Sequence, residues 1–184
     1  MKANVKFAKV RPDAKIPSKR VEDMGFDIYA CFDEDYIEIG PHETKLIPTG
    51  IASSCDPEYG FLLRERGSTG SKGIALRCGV IDSGYRSEWF VGLTNSTMRT
   101  IVISKLNKMD TAARMCKNDF FDFLNVALPE EEVDEFMVVY PYSKAIAQAL
   151  VVPVPEVEVE ELSYEDLQAI PSERGLGALG SSGK

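Results

Sequence analysis

The run Gly79-Val80-Ile81-Asp82-Ser83-Gly84-Tyr85-Arg86 places a carboxylate after two residues of buried type and at a Ser-Gly turn. An aromatic ring follows three positions later. Turns favour Asp and Gly on their own account, and that explains the placement if nothing else is nearby. Beside a phosphate site that also holds a metal, the same carboxylate orients and deprotonates water. An ordinary Asp, with a pKa of about 3.9, is a weak base, so the water or the phosphorus it serves must be strongly polarised.

Four further runs carry groups of the same kind. Arg66-Gly67-Ser68-Thr69-Gly70-Ser71-Lys72-Gly73 offers an arginine for bidentate phosphate contacts, with small residues that let backbone approach a ligand. A flexible surface loop fits the same composition. In Met24-Gly25-Phe26-Asp27-Ile28-Tyr29-Ala30 a carboxylate interrupts an apolar run. Burying it requires a partner, either an arginine or a metal site. In Ile146-Ala147-Gln148-Ala149-Leu150 one amide interrupts an apolar strand and needs hydrogen-bond partners, from a ligand site or from the core. The tail Arg174-Gly-Leu-Gly-Ala-Leu179-Gly180-Ser181-Ser182-Gly-Lys184 is rich in backbone N–H groups, with two hydroxyls and a cation at each end. It reads either as a frayed terminus or as an anion cradle. Neither glycine run is a Walker A loop: the Gly-Lys-Ser/Thr ending is absent from the first, and Ala178 stands at the first glycine position of the second.

The rest of the chain limits what these groups serve. With 184 residues and a net charge of −8, it is long enough for one well-buried domain and too acidic for general nucleic-acid binding. Arg64, Arg66, Lys72, Arg77 and Arg86 nonetheless cluster mid-chain, as a pocket for one small polyanion requires. Cys31, Cys55, Cys78 and Cys116 are widely spaced, without a CxxC pair, which fits reduced thiols in a cytoplasm better than disulfides or zinc. No apolar run is long enough to cross a membrane, and the first residues lack a signal-peptide core. His42, the sole histidine, sits in a Gly-Pro-His turn and is a poor candidate base.

Short strands positioned by turns must carry the chemistry. Val5–Val10, Gly25–Phe32, Tyr36–Ile39, Lys45–Ala52 with a Pro-Thr-Gly break, Tyr59–Leu63, Ile74–Cys78, Val80–Ile81 and Trp89–Leu93 follow one another at the spacing of a sandwich, barrel or jelly roll. Asp82 then falls at a β-hairpin tip. Residues from about 98 to 140 read as an insertion, with a helix capped by Asp110 or Thr111 and running to about Val126 on Phe120, Phe123, Leu124 and Ala127. The acidic run 130–135 is expected in solvent. Strands resume at Phe136–Tyr140 and Ile146–Val154, and Ser163–Ala169 forms a short helix. The expected organisation is a β domain over 1–168 and an arm over 169–184.

The order of the five runs is more specific than any one of them. It resembles the five ordered motifs of the homotrimeric dUTP pyrophosphatases (dUTPases), over residues 1–95 and 142–184. Gly-Val-Ile-Asp-x-x-Tyr and the terminal glycine motif are the most specific parts. The resemblance implies an all-β distorted jelly roll or barrel with a partly helical insertion and a flexible glycine-rich arm. It implies a trimer with three shared sites, each built from motifs of different subunits. The implied reaction is dUTP plus water giving dUMP and pyrophosphate, with Mg²⁺, which limits uracil in DNA and supplies dUMP for dTMP synthesis.

Carried over residue by residue, the resemblance makes Asp82 the base that activates water for attack on the α-phosphorus, and Tyr85 the platform under deoxyribose. Backbone from Cys78 through Gly79 to Ile81 reads the uracil edge. Arg66, Gly67, Ser68 and Gln148 meet the phosphates, and Asp27 supports the metal through water. Arg174, Gly180, Ser181 and Ser182 hold the terminal phosphates, with Leu179 over the base. Three departures stand out. Gly67 replaces the usual Ser, Leu179 replaces a stacking Phe, and Lys144-Ala145 replaces Asp-Arg. The insertion points to a phage-type member and offers a surface for a protein partner. Two rivals share the scaffold. A dCTP deaminase would use a glutamate near the hairpin, where Glu88 lies farther off than Asp82. A regulatory protein would bind its partner without catalysis.

Overall fold

A computed structural model of the chain describes residues 3–118, 129–173 and 175, the side chains of 116–118 excepted. It divides into two compact units, Met1–Val154 and Pro155–Lys184. The first unit is dominated by strands, as the sequence leads one to expect, but these form four separate sheets rather than a closed barrel. β1 (Val5–Lys9) pairs with β5 (Ile51–Cys55). β3 (Tyr36–Ile39), β10 (Thr100–Ser104) and β11 (Met137–Pro141) form a second sheet. The third runs β2 (Phe26–Ile28), β12 (Ala147–Pro153), β6 (Tyr59–Arg64), β8 (Val80–Ile81). The fourth is β4 (Thr44–Pro48), β9 (Phe90–Asn95), β7 (Ile74–Arg77). All named pairings are antiparallel except β10 with β11.

Alternating apolar residues explain the packing. Ile47, Ile51, Phe61, Leu63, Trp89, Val91 and Leu93 turn inward from their strands and are buried. Trp89 lies 4.9 Å from the Phe61 ring and 5.7 Å from Phe7, both centroid to centroid and steeply inclined. Such aromatic clusters bury large areas and favour edge-to-face contact. Among the described residues no helix is long and apolar enough to cross a membrane. Cys31, Cys55 and Cys78 are free thiols.

Several local expectations need correction. The strand expected over 25–32 is only Phe26–Ile28, because the Cys31 N–H leaves to bond the Pro48 carbonyl at 2.8 Å. The segment expected to interrupt the β domain from about 98 to 140 begins with a core strand. In β10, Ile101, Val102 and Ile103 are buried, and the strand joins β3 to β11. Among the described residues of that segment, helix occurs only between β10 and β11, where two parallel neighbours require a crossover.

That crossover holds α2 (Lys108–Asn118) and α3 (Glu130–Phe136). The α2 cap is Asn107, not Asp110 or Thr111: its Oδ1 accepts the Asp110 N–H at 2.9 Å. The continuation expected through Phe120, Phe123, Leu124 and Ala127 lies outside the described residues. The acidic run is helical rather than merely solvated. Its acids face water, while Val133 is buried with Val102, Ala112 and Met137. In the second unit, α4 (Tyr164–Ala169) starts where expected, with the Ser163 hydroxyl accepting the Asp166 N–H at 3.1 Å.

Candidate active site

Register brings three of the motif residues together. In the third sheet Gln148 pairs with Asp27 on one side and with Arg64 on the other, so the amide stands between the two strands that present Asp27 and Arg66. Its Nε2 donates to the Glu65 carbonyl at 2.8 Å, which satisfies one donor of the half-buried amide. Gly25 makes room for it: a Cβ at that position would lie 2.9 Å from Gln148 Oε1. The expected Asp27 partner is an arginine. Arg66 Nε lies 2.9 Å from Asp27 Oδ1, and both side chains are about one-third exposed.

After Arg66 the glycine-rich run is not an open loop. It forms one helical turn, α1 (Gly67–Gly70), closed by Thr69. The buried Thr69 hydroxyl accepts the Arg66 N–H at 3.0 Å and reaches the Arg66 carbonyl at 3.0 Å. Glu65 ties the base of this turn to β7, its Oε1 accepting the Leu76 N–H at 3.1 Å. That bond and one from its own N–H hold the Glu65 carboxyl below its ordinary pKa.

Asp27, Arg66, Gly67, Ser68 and Gln148 together line one open cleft of 770 Å³, along with Ser18, Lys19, Arg20, Asp23, Met24 and Gly25. Of these, sequence reasoning missed Ser18, Lys19, Arg20 and Asp23. Arg20 and Asp23 clasp each other there through paired contacts of 2.9 Å, which lower the Asp23 pKa and raise that of Arg20. The Arg-x-x-Asp spacing just before Gly25 was the available signal.

Asp82 and Ile81 do not join that cleft. They line a separate hollow of 180 Å³ with Phe61, Val80, Val152 and Val154. Asp82 is also not at a β-hairpin tip. β7 pairs with β9, whereas β8 crosses to pair with β6, so Cys78-Gly79 is a corner between two sheets. The corner demands unusual backbone: Cys78 has φ 54°, and Gly79 packs so closely that a Cβ would lie 2.7 Å from the Leu63 carbonyl oxygen.

Beyond the corner the Asp82 carbonyl accepts the Tyr85 N–H at 3.1 Å, and the Tyr85 hydroxyl donates to the Glu88 carbonyl at 3.0 Å. Asp82 and Tyr85 are both exposed. Arg86 pins this turn to β5, its NH1 donating to the Ser53 carbonyl at 3.3 Å as well as to Ser83. The Glu88 carboxylate is occupied elsewhere: Oε1 accepts the Gly50 N–H at 2.8 Å and lies 3.4 Å from Arg11 Nε. His42 Nε2 meets Met98 Sδ at 3.3 Å and lines neither hollow. Arg174, Leu179, Gly180, Ser181 and Ser182 lie outside the described residues.

Among the described residues no three His, Cys, Asp or Glu side chains are grouped to hold a metal ion. The cleft carboxylates are engaged by arginines. Such a donor set fits a divalent cation only if phosphate oxygens and water supply most of its ligands.

Residues 13–115 match the dUTPase family model, a span that includes β10 and the Asp27, Arg66 and Asp82 motifs. The chain is 31% identical to the deoxyuridine 5'-triphosphate nucleotidohydrolase of Nautilia profundicola, covering 98% of this chain and 99% of that protein. It is 29% identical to the protein of the same name from Paraburkholderia xenovorans, over 100% of this chain and 99% of that one. In fold it is similar to the Staphylococcus bacteriophage 80alpha dUTPase solved with dUPNHPP, with a TM-score of 0.67 at 20% identity over 98% of this chain and 99% of that one.

Proposed function

The chain belongs to the dUTPase family, and on that footing we propose that it hydrolyses dUTP to dUMP and pyrophosphate in a site completed by neighbouring copies of itself. One observation carries the second half. The phosphate-type groups share a cleft, while Asp82, the one candidate base, lines a different hollow of the same chain. A symmetric trimer places the Asp82 corner of one subunit against the Asp27–Arg66–Gln148 cleft of the next.

In that arrangement Arg66, Ser68 and the Gln148 amide bind phosphate oxygens, and the Asp27 carboxylate both orients Arg66 and accepts from metal-bound water. Mg²⁺, when bound with the triphosphate, neutralises charge that develops on the phosphates. The Asp82 carboxylate takes the proton of the attacking water. Backbone at Gly79 and Ile81 reads uracil, and Tyr85 packs beneath deoxyribose, its ring anchored by the bond from its hydroxyl to the Glu88 carbonyl. Gly67 leaves one phosphate contact to backbone alone. Arg174, Gly180, Ser181 and Ser182 close over the terminal phosphates, with Leu179 covering the base by apolar contact instead of stacking.

Deamination of dCTP is the weaker reading. It requires a free glutamate near the corner, and the Glu88 carboxylate is tied to Gly50 and Arg11. Supplying dUTP, dCTP and UTP with Mg²⁺ separates the two readings. Pyrophosphate from dUTP alone is the expected result, and ammonia from dCTP would sink it.

A further inference from the structure

The cleft is lined by three cations, Lys19, Arg20 and Arg66, and by two carboxylates, Asp23 and Asp27. Each arginine is matched to a carboxylate: Arg20 to Asp23 at 2.9 Å and Arg66 to Asp27 at 2.9 Å. Lys19 is left as the cation without a carboxylate within 4.0 Å among the described residues. Its ammonium is nonetheless held in place. Nζ donates to the Asp23 carbonyl at 2.7 Å and to the Arg20 carbonyl at 3.2 Å, and stands 5.8 Å from the centre of the Phe26 ring.

An ammonium has three donors, and two of these are spent on neutral carbonyls. The third donor remains for an anion in the cleft, and the charge, shared only at longer range with the Asp23 carboxylate, attracts it. Holding a lysine by its own loop removes rotamer entropy that binding would otherwise cost. The Arg20–Asp23 clasp fixes the loop that supplies both carbonyls: Asp23 Oδ2 also accepts the Arg20 N–H at 3.1 Å.

We propose that Lys19 is a binding residue for the outer phosphates of a nucleoside triphosphate, the portion that leaves as pyrophosphate. The inference deepens the dUTP reading and rests on it for the identity of the nucleotide. The ligand group is a pyrophosphoryl dianion or trianion, which a compact ammonium meets as a point charge without needing a fixed fork geometry. On departure, the pyrophosphate gains charge beside the Lys19 ammonium, which stabilises the leaving group. The lysine thereby separates triphosphates from monophosphates at the entrance of the same cleft.

The test uses the full chain and its Lys19→Gln and Lys19→Arg variants, titrated with inorganic pyrophosphate and, separately, with dUMP, both with Mg²⁺. Pyrophosphate affinity is expected to fall on the order of tenfold in Lys19→Gln, the scale of one charge-assisted contact, and to recover in part in Lys19→Arg. The dUMP affinity is expected to stay within about twofold, since dUMP lacks the group that Lys19 holds. Unchanged pyrophosphate affinity, or an equal loss for dUMP, overturns the proposal. Turnover of dUTP by the unmodified chain is measured alongside. Its absence defeats the hydrolase reading, and the pyrophosphate comparison still decides the role of the lysine.

Discussion

The guanidinium of Arg66 and the carboxylate of Asp27 meet at 2.9 Å on a cleft wall where both remain partly exposed to water. An exposed pair of this kind adds little to stability. Its consequence is geometric: Asp27 holds the guanidinium through Nε and, at 3.4 Å, through Nη2, while Nη1 reaches the Ala145 carbonyl at 3.5 Å, so the fork is fixed in the wall that Ser68 and Gln148 share. Arg66→Lys keeps the charge and loses the fork. We expect kcat/KM for dUTP to drop by roughly 10- to 100-fold with thermal stability nearly unchanged. Steady-state kinetics with a melting curve on the same sample checks this.

Gly25 and Gln148 are coupled by space. A Cβ at position 25 would stand 2.9 Å from Gln148 Oε1 and 3.1 Å from its Cβ, so Gly25→Ala must push the amide off the Glu65 carbonyl. The expected result is a several-fold rise in KM and a destabilisation of about 1 kcal/mol, the cost of a strained contact and one weakened hydrogen bond. Urea unfolding and dUTP titration measure both. A fully unperturbed KM would remove Gln148 from the phosphate site.

Thr69 is buried and makes both hydrogen bonds that close the turn after Arg66. Thr69→Val keeps the shape and strands the Arg66 N–H. The chain is expected to lose about 1–3 kcal/mol and a larger share of activity than Ser71→Ala, an exposed change two residues on. By contrast Gly67→Ser meets open space, since nothing lies within 4 Å of a Cβ there. It is expected to fold normally and to lower KM for dUTP, because it supplies the hydroxyl the family usually has at that position.

Burial pushes the Cys31 thiol up to about 11 from 9.0, with the Asp13 carboxylate beside it acting in the same sense. A folded pKa above the unfolded one stabilises the fold fully below the unfolded value. That contribution is lost as pH rises from about 9 toward 11, on the order of 2 kcal/mol. Tyr142 is raised too, chiefly by burial, and titrates in the same direction. Unfolding free energy measured from pH 8 upward should therefore fall in this window, less steeply in Cys31→Ala. An identical slope in the variant would contradict the assignment to Cys31.

Much of the fold was legible because strand alternation and turn residues are local signals. Tyr36–Ile39 and Val80–Ile81 emerge with the boundaries read from the sequence, and Ser163 caps the helix expected after it. What was not legible depends on pairing. Thr100–Ser104 reads as part of an insertion because it follows a polar turn, and only its lodging between β3 and β11 makes it core. Asp82 looks like the tip of a hairpin because Val80-Ile81 follows β7 so closely. The crossing of β8 to β6 is set by the close approach of Gly79 to Leu63, which no local pattern announces.

The site was legible in its motifs and illegible at its rim. Asp27, Arg66, Gly67, Ser68 and Gln148 were singled out from the sequence and line one cleft. Lys19, Arg20 and Asp23 carry no motif of their own, and only the folded loop brings them to the same cleft. Glu65, which no motif singled out, holds Gln148 through its carbonyl and Leu76 through its carboxylate.

The separation of Asp82 from the Arg66 cleft makes sharing between subunits the central claim, and complementation tests it most directly. Asp82→Asn and Arg66→Ala chains are each expected to form inactive trimers. Co-expressed in equal amounts, they should produce mixed trimers in which an intact Arg66 cleft faces an intact Asp82, with about one quarter of the unmodified activity. Mixed trimers verified by mass that remain as inactive as either parent would contradict a shared site.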